Sequence, residues 1–278
     1  MRSEENSMSG FFSKGIIEHG LVKKKISFHS DDEYVMYVEI FMCNVHKVWD
    51  YYNKLFLAKV TMPKLFECRM EDNFCTIYQE YIDGISLVEW ISNNAIQSNL
   101  KYHLIYFDNL LKNQLRSYYL DNRIRIDFNL NNFVVKDNIL YLVDVMPPIF
   151  IDRVVEAKSK RYNRKIAQLI ELYTNINYQI ISIIGYWFLD CLSDFSRLTE
   201  PYRRESMNDK LMKFIEHGNK YIELYNENIS KISKSYIYEN ADNYFIERVY
   251  FLYEYINQKI EFNELVRLFN IRMHPQRN

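Results

Sequence analysis

Residues 125–148 alternate polar punctuation with apolar runs so tightly that one local structure fits them. A polar loop (127–132) precedes the apolar run Phe133-Val134-Val135, the turn formers Lys136-Asp137-Asn138, and a second apolar run (139–143) that ends at Asp144. Two β-prone runs joined by turn formers make a hairpin. Asp127, Asn132 and Asp144 therefore gather at the end of that hairpin opposite its turn. Two carboxylates and an amide placed together suit phosphate and metal chemistry.

The chain around this stretch has 278 residues, 48% of them apolar, enough for a sizeable core in one large domain or two small ones. Lys plus Arg number 35 and Asp plus Glu 36, so no net field draws the chain to nucleic acid or to an anionic membrane. Neither partner is expected. The four cysteines form no Cys-x-x-Cys pair and the N-terminus carries no apolar signal run, which implies a reduced, cytoplasmic protein. The longest apolar run (178–192) is interrupted by Gln179, Ser182 and Asp190 and is too short to span a bilayer, so it reads as a buried helix.

Residues 1–9 are polar and read as a loose terminus. From residue 10 short β-type runs follow at 15–20, 21–28 and 34–41, the last rich in β-branched and aromatic residues. Val45, Val48, Trp49, Tyr52, Leu55 and Phe56 then recur at helical spacing within 45–60, and Pro63 stops that helix. Two more strands (64–69 and 74–82) complete a small antiparallel sheet. The Asp83-Gly84 turn leads into a helix capped by Ser86, with Glu89 completing the capping box. A long amphipathic helix (100–120) brings the chain to the hairpin. Beyond Pro148 the pattern is helical at about 161–192, 207–232, 241–259 and 263–269.

The fold class expected is therefore α+β: a sheet lobe with one crossing helix (10–83), then a helical lobe (84–278) that contains the hairpin (125–148). With the polar residues of the hairpin, this order resembles the protein-kinase-like fold, in particular the aminoglycoside phosphotransferase and choline kinase type. The resemblance rests on Asp127 followed by four residues and Asn132, on Asp144 after a short hairpin, and on the hinge-like Glu80-Tyr81-Ile82-Asp83-Gly84. It implies a two-lobed protein that binds ATP and Mg2+. Asp127 would orient the attacking hydroxyl, Asn132 and Asp144 would hold the metal, and the backbone at Glu80 and Ile82 would receive the adenine.

The chain departs from that family at Arg125, which stands where the loop histidine would be, and at Val145-Met146, where the family often carries an aromatic-glycine pair. No Gly-x-Gly-x-x-Gly occurs, and the run at 34–41, expected to supply the phosphate-binding lysine, has none. One of Lys23, Lys24 and Lys25 on the preceding strand would supply the charge, Lys24 facing away from its two neighbours by strand alternation. Two functions follow. One is an atypical phosphotransferase that moves the γ-phosphate of a nucleotide to a small hydroxyl- or amine-bearing molecule. The other is a pseudokinase that binds a protein partner and catalyses nothing.

Overall fold

The computed structural model describes residues 7–9, 13–27, 40–41, 44–71, 74–94, 100–120, 124–157, 164–225 and 229–273. The chain is α+β, with a small antiparallel sheet and a mostly helical remainder. It divides into two compact units. One comprises Met1–Ile85, Arg116–Asp127 and Asn132–Ile170; the other comprises Ser86–Leu115, Phe128–Asn131 and Glu171–Asn278.

The first unit is built on a five-stranded sheet. Its strands are β1 (Ser7–Ser9), β2 (Ser13–Glu18), β3 (Leu21–Ser27), β4 (Leu65–Glu71) and β5 (Phe74–Glu80), in the order β1-β2-β3-β5-β4. The loose terminus expected for 1–9 is corrected at its end, where Ser7–Ser9 pair antiparallel with β2. His19 (φ 51°) and Gly20 (φ 78°) close the β2–β3 turn with two left-handed residues, the twist that a tight hairpin needs. Alternation along β3 buries Val22, Lys24 and Ile26 on one face. Opposite them, in register, lie Gln79, Ile77 and Cys75 of β5, all buried. Most of the expected strand at 34–41 lies outside the described residues.

Helix α1 (Val45–Leu57) is capped by Asn44, whose side chain accepts the Lys47 N–H at 3.0 Å. It ends at Leu57 with Ala58 as its C-cap, and the left-handed Lys59 (φ 57°) turns the chain away before Pro63. Its buried residues are Val48, Tyr51, Tyr52 and Leu55, whereas Phe56 is exposed. The packed face is thus rotated from the expected one, with Tyr51 turned in and Phe56 turned out.

The loop region follows the sequence expectation closely. After the two-residue strand β6 (Ile85–Ser86), β7 (Ile124–Arg125) leads through the loop to a single 3-10 turn (Leu130–Asn132) and the hairpin of β8 (Phe133–Lys136) and β9 (Ile139–Leu142). Asp137 (φ 51°) and Asn138 (φ 61°) make its turn, both left-handed, as a two-residue hairpin loop requires. β10 (Ile149–Phe150) then pairs with β7. The division of the chain differs from the expected lobes at this point. The first cut falls beside Asp83-Gly84, but the hairpin belongs to the unit that contains the sheet. Hydrogen bonds from the Leu142 N–H to the Thr61 carbonyl, and from Gln79 to the Val143 carbonyl, explain why.

The remaining elements are helical. α2 (Leu87–Asn94) is capped by Ser86, whose hydroxyl accepts the Glu89 N–H at 3.1 Å, and α3 (Leu100–Leu120) is as long as expected. α4 (Ile151–Ala157) and α5 (Arg164–Thr174) come after β10. α6 (Ile176–Phe195), α7 (Glu200–Tyr225), α8 (Lys234–Glu239), α9 (Tyr244–Ile256) and α10 (Phe262–Met273) complete the second unit. The helix expected over 161–192 is two helices. Asn175 interrupts it by accepting the Asn177 and Tyr178 N–H groups with its side chain, a new N-cap.

α6 is buried on nearly all sides and organises the second unit, with Trp187 edge-on to Phe107 and tilted against Phe214. Trp187 Nε1 donates to His103 Nδ1 at 3.0 Å. That bond leaves the His103 proton on Nε2, which points at the Asn94 carbonyl at 3.1 Å. His103 is therefore a neutral, fully buried histidine, and burial, together with the nearby Lys210 charge, lowers its pKa to about 4. No helix among the described residues is long and apolar enough to cross a membrane.

Candidate functional site

Asp127, Asn132 and Asp144 lie about the hairpin end, where hydrogen bonds to Asn132 link them. The Asn132 carbonyl accepts the Val143 N–H at 2.8 Å and the Asp144 N–H at 3.3 Å, which sets Asn132 directly against Asp144. Asn132 Nδ2 reaches the Asp127 carbonyl at 3.4 Å, tying the loop to its own end. The Asn132 side chain is buried and donates through its nitrogen, so its amide oxygen is turned away from Asp127. The Asp144 Oδ1 atom lies 3.4 Å from the Met146 N–H, so the chain after the hairpin folds back on the carboxylate.

Of the three candidate lysines, one reaches this place. Lys24 is 8% exposed; its Nζ lies 3.3 Å from Asp144 Oδ1 and donates to the Val143 carbonyl at 3.0 Å. Lys23 projects from the other face of β3, its Nζ 5.7 Å from the centre of the Tyr78 ring, and Lys25 is exposed. The alternation of a strand is what separates them. The contact joins a buried cation of the sheet to a carboxylate that is a quarter exposed.

Gln79, Tyr51 and Tyr52 also belong to the site, although the sequence did not mark them. Gln79 is 1% exposed and spends both ends of its amide. Its Nε2 donates to the Val143 carbonyl at 2.7 Å, and its Oε1 accepts the Tyr52 hydroxyl at 3.0 Å. The reverse orientation would set the amide oxygen against the Val143 carbonyl oxygen, so the network fixes which end is which. The Val143 carbonyl consequently receives two donors, Lys24 and Gln79. Tyr51, next on α1, donates to the Arg125 carbonyl.

Burial raises the pKa values of both tyrosines, helped by the Asp127 charge at Tyr51 and by the Asp144 charge at Tyr52, so both hydroxyls stay protonated donors. A sequence signal for Gln79 existed: Cys75, Ile77 and Gln79 share one face of β5, and an amide at a core-facing position needs partners.

Arg125 is 6% exposed and turns one guanidinium nitrogen back to the Ile124 carbonyl at 2.9 Å. The hinge-like segment is partly committed to the sheet. The Glu80 N–H donates to the Lys64 carbonyl and the Tyr81 N–H to the Gly20 carbonyl, both at 2.9 Å. The Ile82 side chain is buried, and the Ile82 N–H has no backbone partner among the described residues.

Among the described residues no group of three or more His, Cys, Asp or Glu side chains is arranged to hold a metal ion. One carboxylate and one amide oxygen remain a sufficient protein share for magnesium, which keeps water and takes substrate phosphate as its other ligands. Compared with known proteins, the chain matches no family model, and no curated protein matches its sequence.

Proposed function

We propose that this protein is a phosphotransferase of two-lobed, kinase-like architecture that moves the γ-phosphate of ATP to a hydroxyl or amine of a small molecule. The ion pair of Lys24 with Asp144 carries this reading, because it joins a cation of the sheet to the carboxylate that follows β9, beside Asn132. Phosphoryl transfer asks a protein for positioning and charge neutralisation rather than for covalent chemistry. In this reading Lys24 turns from Asp144 to the nucleotide phosphates, and the backbone at Glu80 and Ile82 receives the adenine. Asp127 takes the proton of the attacking hydroxyl as that oxygen bonds to the γ-phosphorus and the bond to the departing ADP oxygen breaks. Asn132 and Asp144 hold magnesium, which when bound neutralises charge on the phosphate oxygens. A reducing, cytoplasmic setting belongs to the same proposal.

One observation favours a second reading. The Lys24 ammonium already has the Val143 carbonyl and Asp144 as partners, a self-contained arrangement that suits a pseudokinase serving as a scaffold for a protein partner. Thermal unfolding with and without ATP and magnesium, on the wild type and on Asp144→Ala, separates the two. A phosphotransferase is stabilised by about 2.7 kcal/mol at a hundredfold excess of ligand over Kd, and the substitution abolishes that gain. Absence of any ligand-induced shift in the wild type overturns the nucleotide site and leaves the scaffold.

A further inference from the structure

The Val143 carbonyl is the point at which helix α1, the sheet and the hairpin end meet, and its two donors differ in kind. Lys24 is a cation with a competing partner in Asp144, whereas Gln79 is a buried amide held from behind by Tyr52. We propose that Tyr52 and Gln79 are positioning residues that hold the main chain at Val143 and Asp144, and so transmit the placement of α1 to the Asp144 carboxylate. The catalytic part of this inference rests on the phosphotransferase reading; the positioning part does not.

Three observations carry it. The chain of bonds is continuous, from the Tyr52 hydroxyl to Gln79 Oε1, from Gln79 Nε2 to the Val143 carbonyl, and along one residue of backbone to Asp144. Every member is withdrawn from solvent on its side-chain path, Tyr52 being 4% and Gln79 1% exposed, so water cannot replace a lost partner cheaply. Lastly, α1 has no glutamate that could hold Lys24 from the helix side; its one acidic residue is Asp50. A lysine that must leave Asp144 for a phosphate would release Val143 as it goes. Gln79 keeps hold of that carbonyl when Lys24 departs, and Tyr52 makes the hold depend on where α1 sits.

Backbone hydrogen exchange and steady-state kinetics test this together, on the wild type, Tyr52→Phe, Gln79→Leu and Gln79→Glu. The Val143 and Asp144 amides, which donate to Asn132, should exchange roughly tenfold faster in Tyr52→Phe and Gln79→Leu, the effect of one neutral hydrogen bond lost. Amides of the β2–β3 pairing should stay within twofold. Unchanged exchange at Val143 and Asp144, or an equal rise across the whole sheet, overturns the inference.

Turnover of Gln79→Leu should fall at least tenfold with the KM for ATP within threefold, since the loss lies in placing Asp144. Gln79→Glu should recover turnover as pH is lowered, because only the protonated carboxyl can donate to the Val143 carbonyl. A pH profile of that variant parallel to the wild type overturns the role. A wild type without transfer activity defeats the phosphotransferase reading alone, and the exchange measurement then decides the tie on its own.

Discussion

At the scale of single residues, the Lys24 ammonium is held between the Val143 carbonyl and the Asp144 carboxylate. Asp127, Asn132 and Asp144 flank one hairpin within a short stretch of chain, so local turn chemistry and bonds to Asn132 bring them together. Lys24 emerged as one of three lysines, and only the pairing of β3 beside β5 selects it. Gln79 meets Val143 across 64 residues, a contact that no local pattern encodes. The Lys24–Asp144 pair predicts its own thermodynamics. Asp144→Ala leaves a buried ammonium short of a partner and should lower stability by about 1.5–3 kcal/mol. Adding Lys24→Met should restore part of the loss, because the orphaned charge is removed with its partner. Denaturant unfolding of the four proteins in a double-mutant cycle measures the coupling, and strict additivity would show that no pair exists in solution.

Two other groups set opposing pH slopes. The folded pKa of His103 is lowered to about 4, against about 6.5 when unfolded, so its contribution is complete above pH 6.5 and is lost as pH falls toward 4, by up to about 3 kcal/mol. Burial pushes the Asp190 carboxyl up to about 7, partly offset by Arg248, so its contribution is complete at low pH and is lost as pH rises toward 7. The two nearly cancel in the wild type between pH 4 and 6.5. Urea unfolding across that range should show His103→Gln gaining stability on acidification and Asp190→Asn losing it; flat profiles in both variants would contradict the assignment.

At the scale of elements, strands, helices and caps were readable in kind, and the errors lie at faces and breaks. α1 was expected to bury Phe56 and instead buries Tyr51, because the face is chosen by hydrogen bonds to Gln79 and Arg125 as well as by apolarity. The junction between α5 and α6 was missed because apolar periodicity continues on both sides of Asn175, and only the capping chemistry of the asparagine marks the break. The approach of the hinge to β8 makes a sharp prediction. A Cβ on Gly84 would stand 2.6 Å from the Val135 carbonyl oxygen and 2.7 Å from Val134 Cγ1. Backbone cannot yield as a flexible side chain does, so Gly84→Ala should cost about 1–3 kcal/mol. A denaturation midpoint unchanged from wild type would show that the hinge and β8 separate readily.

At the scale of the whole molecule, the expected α+β class holds, and the sheet and the hairpin fall in one compact unit. The unit that contains the sheet is assembled from three separated stretches of chain. A fragment ending at residue 85 would therefore keep Lys24 and Gln79 but lack the Val143 carbonyl and the Asp144 carboxylate that satisfy them. Such a fragment should show no cooperative thermal transition by circular dichroism; a sigmoidal melt would mean that the sheet closes its core without the hairpin.

The same connectivity acts on a clock. Lys24 and Val143 are 119 residues apart, so at a synthesis rate of about 5–20 residues per second Lys24 waits roughly 6–24 s before its partner has been made at all. Throughout that interval Lys24 and Gln79 lack the Val143 carbonyl and the Asp144 carboxylate that will satisfy them. The hairpin is therefore the piece whose arrival, about midway through synthesis, completes the bonds of the sheet's buried polar groups.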